Sequence, residues 1–164
     1  SMETNRIVEL LKDSFGDAII ELAETKPDSY LKVNKDRITD ICSFLSQEPQ
    51  LGFDTLMILS GLDLGDKLAV AYHLYSLQHK HRIVLKAELP KDNAAVQTVS
   101  GIWQAANWFE RETAEMYGIT FMNHPDPRKL LLTEDWVGYP MRKDYVYPES
   151  WHGMPLKRPV DESR

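Results

Sequence analysis

Histidine rings are the side chains of this sequence that could most readily bind a metal ion. His73, His79 and His81 form its one histidine cluster. On a single strand the three rings would lie on one face, but a predicted turn at residues 78–80 lies among them. We therefore expect polar side chains at the end of a hairpin. A stand-alone metal-dependent enzyme that uses this cluster is kept as an alternative from a different class.

The single cysteine, Cys42, limits the redox chemistry of the chain. One thiol cannot close an intramolecular disulfide or supply the several thiolates of an iron–sulfur cluster. Residues 38–45 around it follow an amphipathic helical pattern. Because free cysteine is commonly buried, we expect Cys42 to be a small core residue.

Acid–base chemistry would have to come from Glu110, Glu112 and His124. The two glutamates are two positions apart in a helical pattern, so their carboxylates diverge and suit paired catalysis poorly. His124 precedes Pro125 in a turn without a second ligand at metal-binding spacing, and we expect it to form structural hydrogen bonds. The sequence also lacks a glycine-rich phosphate loop. We therefore predict no catalytic, cofactor-binding or metal-binding residues.

Arg111 and Glu115 lie four positions apart on the same helical pattern. Side chains at this spacing are neighbours, so we predict an ion pair between them. Both residues face away from the apolar stripe of the helix. In the isolated chain we therefore expect Arg111 to be largely solvated, with the pair contributing at most about 0.5 kcal/mol.

Hydrophobic periodicity predicts an α+β fold, a small mixed or antiparallel sheet with packed helices. The predicted helices span residues 3–15, 34–47 and 95–117. The predicted strands span residues 18–22, 29–33, 55–59, 68–77 and 82–89. The fifth strand alternates, with Ile83, Leu85, Ala87 and Leu89 on one face, which is typical of a half-buried antiparallel strand. The fourth strand alternates less, and we expect both of its faces to be covered.

Tryptophans flank the longest predicted helix, residues 95–117. One stripe of this helix is apolar, and Trp103 and Trp108 lie outside the stripe on opposite sides. A helix with aromatic side chains on both flanks is either deeply buried or shared with another protein chain.

Periodicity disappears after Gly118. Six of the nine prolines lie in the last 40 residues, at positions 125, 127, 140, 148, 155 and 159. Trp136, Trp151, Tyr139, Tyr145 and Tyr147 lie there too, so the composition is not that of a disordered tail. We predict an α+β domain over residues 1–117 and an extended, largely irregular C-terminal arm over residues 118–164 that lies along a partner.

Composition excludes several classes of function. The net charge of −6 argues against non-specific nucleic-acid binding and against docking on an anionic membrane. No apolar run approaches the roughly 18 residues of a transmembrane helix, and the N-terminal residues lack the pattern of a secretory signal. We expect an intracellular protein whose membrane association is indirect.

Two motifs carry a family resemblance. The first runs from Glu110-Arg111-Glu112 through Glu115 to His124 and Arg128, and the second runs from Glu134-Asp135-Trp136 to Asp144-Tyr145. Together they resemble the signature of the C subunit, the 30 kDa-type subunit of proton-pumping NADH:quinone oxidoreductase (respiratory complex I), over residues 110–145. Residues 70–77 are also similar to a strand of this family.

The resemblance implies a non-catalytic scaffold subunit of the peripheral part of that translocase. Flavin and iron–sulfur clusters would belong to partner subunits, and the C-terminal arm would lie over the large D subunit of complex I, with the B subunit nearby. The complex would place the chain on the cytoplasmic side of the inner (plasma) membrane. The equivalent subunit of an energy-converting hydrogenase, or of a dehydrogenase with another donor, is the alternative. The signature residues expected to contact partners are Glu110, Arg111, Glu112, Glu115, His124, Arg128, Asp135, Trp136, Arg142, Lys143, Asp144 and Tyr145.

Overall fold

Residues 2–25 and 28–156 are described by a computed structural model, and within them the chain forms three α-helices and nine strands. The helices are α1 (Thr4–Phe15), α2 (Ile38–Gln47) and α3 (Ala105–Tyr117). The strands are β1 (Ile19–Ala23), β2 (Tyr30–Val33), β3 (Thr55–Asp63), β4 (Lys67–Ser76), β5 (His81–Pro90), β6 (Ala95–Gln97), β7 (Thr120–Met122), β8 (Ser150–Trp151) and β9 (Met154–Pro155).

Five strands form one mixed sheet in the order β1-β2-β5-β4-β3. The β2–β5 pair is parallel, and the other neighbouring pairs are antiparallel. The α+β prediction with a mixed sheet is therefore confirmed. Strand β3 is longer than predicted because Gly61, Leu62 and Asp63 continue the hairpin by pairing with the start of β4.

Strands β4 and β5 supply directly opposed side chains to the core. Val70 pairs with Ala87 and Tyr72 pairs with Leu85, and all four are buried. Residues 68–72 of β4 are buried without interruption, so the prediction that both of its faces are covered is confirmed, as is the alternation of β5.

Helices α1 and α2 complete the core with their apolar stripes. Fully burying each aliphatic side chain contributes about 1.5–3 kcal/mol relative to leaving it exposed.

Cys42 is buried in α2 as expected, and this burial raises the pKa of its thiol. Among the described residues, no helix is both long and apolar enough to cross a bilayer.

The predicted helix over residues 95–117 is wrong in its first ten residues. Ala95–Gln97 form β6, which pairs in parallel with β7, and α3 begins only at Ala105. Val96 and Val99 bury their side chains in the core at a spacing that also fits a helix, so periodicity alone misassigned them. The β-branched residues at positions 96, 98 and 99 were the available signal for extended backbone.

Candidate functional site

Glu110 is a fully buried carboxylate on α3. Its Oε1 accepts a hydrogen bond from the Val99 N–H at 2.7 Å, and its Oε2 accepts one from the Thr98 hydroxyl at 2.5 Å. The carboxylate thereby fixes the segment that leads from β6 into α3. Burial raises the pKa of Glu110, although both hydrogen bonds and the nearby His124 ring oppose this effect.

His124 fastens the turn after β7 to the same helix. Its Nδ1 accepts the Asp126 N–H at 2.9 Å, so its Nε2 carries the proton and donates to the Asn107 carbonyl at 3.1 Å. The same Nε2 lies 3.7 Å from Oε2 of Glu110, and 3% of the His124 side chain is exposed. These contacts have the geometry of a structural hydrogen-bonding role.

We expect Glu110→Gln to change how stability depends on pH. A glutamate in the unfolded chain titrates near 4.5, and the folded pKa is raised, so the folded state binds the proton more tightly. The free energy of unfolding of the wild type should therefore fall as pH rises from 4.5 through the folded pKa. Denaturant titrations across this range should show a shallower fall in Glu110→Gln. The exposed Glu112→Gln serves as control, and a slope equal to wild type in Glu110→Gln would contradict the prediction.

The predicted ion pair between Arg111 and Glu115 is wrong, because each side chain binds the C-terminal arm instead. Glu115 is buried and accepts the backbone N–H groups of residues 130, 131 and 132. Arg111 donates from Nε to the Arg128 carbonyl at 3.1 Å, and its guanidinium lies 3.7 Å from Asp126. The face of α3 that carries Arg111 and Glu115 is thus covered by the chain's own arm.

The Asp126 carboxylate lies between two arginine side chains at this contact. Arg128 donates to its carboxylate at 2.7 and 2.9 Å, and Arg111 approaches from the helix. Arg128 foremost, with a contribution from Arg111, holds the pKa of Asp126 well below its usual range. The 124–128 turn is therefore tied to α3 through His124, Arg111 and Asp126 together.

The arm is fastened a second time at the end of α3 and at β3. Arg142 donates from Nε to the Tyr117 carbonyl at 2.6 Å, and its guanidinium lies 4.9 Å from the centre of the Tyr139 ring. The Lys143 N–H donates to Asp63 at 2.8 Å. Backbone N–H groups of Lys143 and Gly65, joined by Lys91, hold the pKa of Asp63 at about 2. Sequence reasoning missed Asp63 and Thr98, since neither lies in a recognisable motif.

Apolar side chains of the arm remain in solvent. The exposed fractions are 57% for Leu131, 82% for Val137, 54% for Met141, 85% for Val146 and 62% for Met154. Side chains of this kind are expected where another protein binds.

Aromatic rings give the arm a small cluster of its own. The Trp136 ring lies 4.8 Å from the Trp151 ring and 6.4 Å from the Tyr147 ring, and Asp135 pairs with His152 at 2.9 Å. The Trp136 Nε1 and the Tyr145 hydroxyl are buried without a hydrogen-bond partner in the described part of the chain. Such groups are costly when left unpaired.

The boundary predicted at residue 118 stays a prediction. Residues 120–122 pair with β6, and Phe121 is buried, so the irregular backbone begins after β7. Residues 157–164 of the predicted arm lie outside the described residues.

Of the remaining signature residues, Glu112 is exposed and Asp144 lies 3.8 Å from Lys91. The two tryptophans do not both flank α3 as predicted. Trp108 lies on α3 and is 55% exposed, whereas Trp103 precedes α3, is buried, and donates to the Phe53 carbonyl.

The histidine cluster binds backbone carbonyls. His79 Nε2 lies 2.8 Å from the Pro49 carbonyl and His81 Nε2 lies 2.6 Å from the Leu51 carbonyl. The two rings stack at 5.4 Å, and His73 lies apart from them on β4, opposite Val84. Within residues 2–25 and 28–156, no group of three histidine, cysteine or acidic side chains could hold a metal ion.

Comparisons with known proteins agree on one family. Residues 31–151 match the family described as respiratory-chain NADH dehydrogenase, 30 Kd subunit. The C subunit of the NADH-quinone oxidoreductase of Geobacter sulfurreducens is 40% identical over 147 residues, covering 87% of this chain and 90% of the relative. The C subunit of the F(420)H(2) dehydrogenase of Methanosarcina mazei is 39% identical over 148 residues, covering 88% of this chain and 92% of the relative.

A solved structure shares the fold. The trypsin-resistant fragment (1-134) of Nqo5 matches with a TM-score of 0.61 and 23% identity, covering 74% of this chain and 98% of the fragment.

Proposed function

Since the chain belongs to the 30 kDa subunit family of respiratory-chain NADH dehydrogenases, we propose that it is the C subunit, a non-catalytic scaffold, of an NADH:quinone oxidoreductase. In this role it supports electron transfer from NADH to quinone, coupled to proton translocation, without contacting the reacting groups. The observation that carries the proposal is the C-terminal arm, which is fastened by polar contacts while its apolar side chains face solvent.

The buried polar residues support a scaffold role. Glu110, Glu115 and His124 have hydrogen-bond partners within the chain, and those partners are chain segments that lead into α3 or into the arm. A general acid or base must reach a proton of its substrate, whereas these side chains are turned inward. Glu115 and His124 hold the arm, and Glu110 holds the segment that leads into α3.

Partner subunits and location follow from the same proposal. The exposed apolar side chains of the arm contact the D subunit, with the B subunit nearby, and the flavin and iron–sulfur clusters reside in partner subunits. The complex holds the chain at the cytoplasmic side of the plasma membrane. The partner contact is supported by Val137 and Val146, two residues of the arm that are each more than four-fifths exposed.

A second candidate is the equivalent subunit of a complex that uses another electron donor, including an energy-converting hydrogenase. A different electron donor is suggested by the C subunit of F(420)H(2) dehydrogenase, which is 39% identical to this chain. Purifying the complex and measuring quinone reduction with NADH, reduced F420 and hydrogen separates the candidates. Activity with NADH alone supports the first proposal.

The experiment that tests the partner contact is the double change Val137→Ser and Val146→Ser. We expect partner subunits to co-purify about five- to thirtyfold less, since each of the two lost apolar contacts at an interface costs about 0.5–1 kcal/mol. Exposed residues add little to the fold, so the Tm of the isolated chain should stay near wild type.

The matched control is Leu77→Ser, at an apolar residue that is 66% exposed in the β4–β5 turn, outside the arm. It should leave co-purification unchanged. Equal co-purification in wild type and the double variant would remove the arm from the interface.

A further inference from the structure

Three consecutive backbone amides of the arm converge on one carboxylate. The N–H groups of Leu130 and Leu131 donate to Oε2 of Glu115 at 3.1 and 2.8 Å, and the N–H of Leu132 donates to Oε1. Successive amides that point into one concavity form an anion-binding nest. Residues 130–132, named here the amide nest, therefore have the geometry of a carboxylate-binding site.

The charges around the amide nest favour the same ligand. A cavity of about 280 Å³ adjoins it between α3 and the arm, and Arg111, Lys129, Leu132 and Trp136 help to line it. Two cationic side chains thus line the cavity beside the amide nest. Glu115 is only 6% exposed, and the three amides satisfy the hydrogen-bonding needs of its buried side chain.

We propose that the amide nest is a carboxylate-binding site and that Glu115 is its resident ligand, which makes Glu115 the positioning residue of the arm. The nest would accept a small free carboxylate such as formate once the Glu115 side chain is removed. This inference deepens the proposed scaffold function and rests on it, because it names the contact that sets the arm in place before a partner binds.

The Lys129–Leu130 peptide bond lies at the edge of the amide nest and reports on it directly. Trypsin cleaves after lysine only where the backbone can open, and the three hydrogen bonds oppose opening. In the isolated full chain we expect Glu115→Ala to raise the cleavage rate at this bond about tenfold or more. Formate at about 0.2 M should return the rate to within about threefold of wild type, whereas chloride at equal ionic strength should not.

Two further variants make the test specific. Glu115→Gln keeps the shape but removes the charge, so cleavage should rise without rescue, because the amide still fills the nest. This variant also carries the test if Glu115→Ala fails to fold, which circular dichroism would show. Glu112→Ala, an exposed glutamate on the same helix, should cleave like wild type.

Wild-type cleavage rates in both Glu115 variants would overturn the inference, and so would an increase that formate and chloride relieve equally. The measurement uses the chain without partners, so it is independent of assembly. If the amide nest behaves as expected while Val137→Ser with Val146→Ser assembles normally, the proposed partner contact of the arm fails and the site stands.

Discussion

Reversing the charge at Arg111 is expected to lower the free energy of unfolding of the isolated chain by about 2–3 kcal/mol. The Arg111 side chain is 16% exposed and donates to the Arg128 carbonyl. Arg111→Glu would leave that carbonyl unpaired and would place a second carboxylate beside Asp126. Removing one member of a fully buried pair costs about 3–5 kcal/mol, and this site is partly solvated, so a smaller loss is expected.

The measurement is urea unfolding of the isolated protein, with Arg6→Glu as control. Arg6 also pairs with an acidic residue, Glu9, but is 56% exposed, so its reversal should cost about 0.5 kcal/mol or less. The interpretation from sequence treats Arg111 as largely solvated in isolation and therefore implies a small loss. A loss at Arg111 no larger than at Arg6 would favour the solvated arginine over the contacts described above.

The parts of the fold that follow from periodicity were predictable from sequence. Helices α1 and α2 and strand β5 carry their apolar residues at regular spacing, because each packs a single face or stripe on the core. Strand β6 was missed because its pairing partner, β7, lies more than 20 residues away along the chain. Tertiary pairing decided the conformation of residues 95–97, and a helical spacing of valines concealed it.

The sequence predicts which residues belong to the candidate site, but it does not predict which groups they contact. The resemblance over residues 110–145 marks Arg111, Glu115 and Arg142 as important without saying what each touches. The partners of Glu115 are amides 15 to 17 residues away, and Asp63 binds a backbone group 80 residues away. Backbone amides have no side-chain identity, so no residue pattern can reveal them. Helical spacing therefore predicts Arg111 as the partner of Glu115, whereas the actual donors are backbone amides of the arm.

Gly118→Ala is expected to displace the arm and to reduce assembly with partner subunits about tenfold or more. Gly118 ends α3 in the left-handed conformation with φ of +72°, which costs roughly 1–2 kcal/mol for a residue with a Cβ. A Cβ there would also lie 2.5 Å from the Tyr139 ring. The ring would have to move, and Arg142, which stacks on it and donates to the Tyr117 carbonyl, would lose its place.

A second glycine separates the two effects of this substitution. Gly16 has φ of +54° at the end of α1, away from the arm, and a Cβ there meets nothing within 4 Å, so Gly16→Ala carries the backbone cost without a displaced ring. Both variants should lower the Tm, but only Gly118→Ala should speed trypsin cleavage at the Arg142–Lys143 bond and reduce co-purification. Equal effects of the two variants on cleavage and assembly would mean that the Tyr139–Arg142 contact does not hold the arm. A selective effect of Gly118→Ala would instead identify the end of α3 as the point that sets the arm's position for its partner.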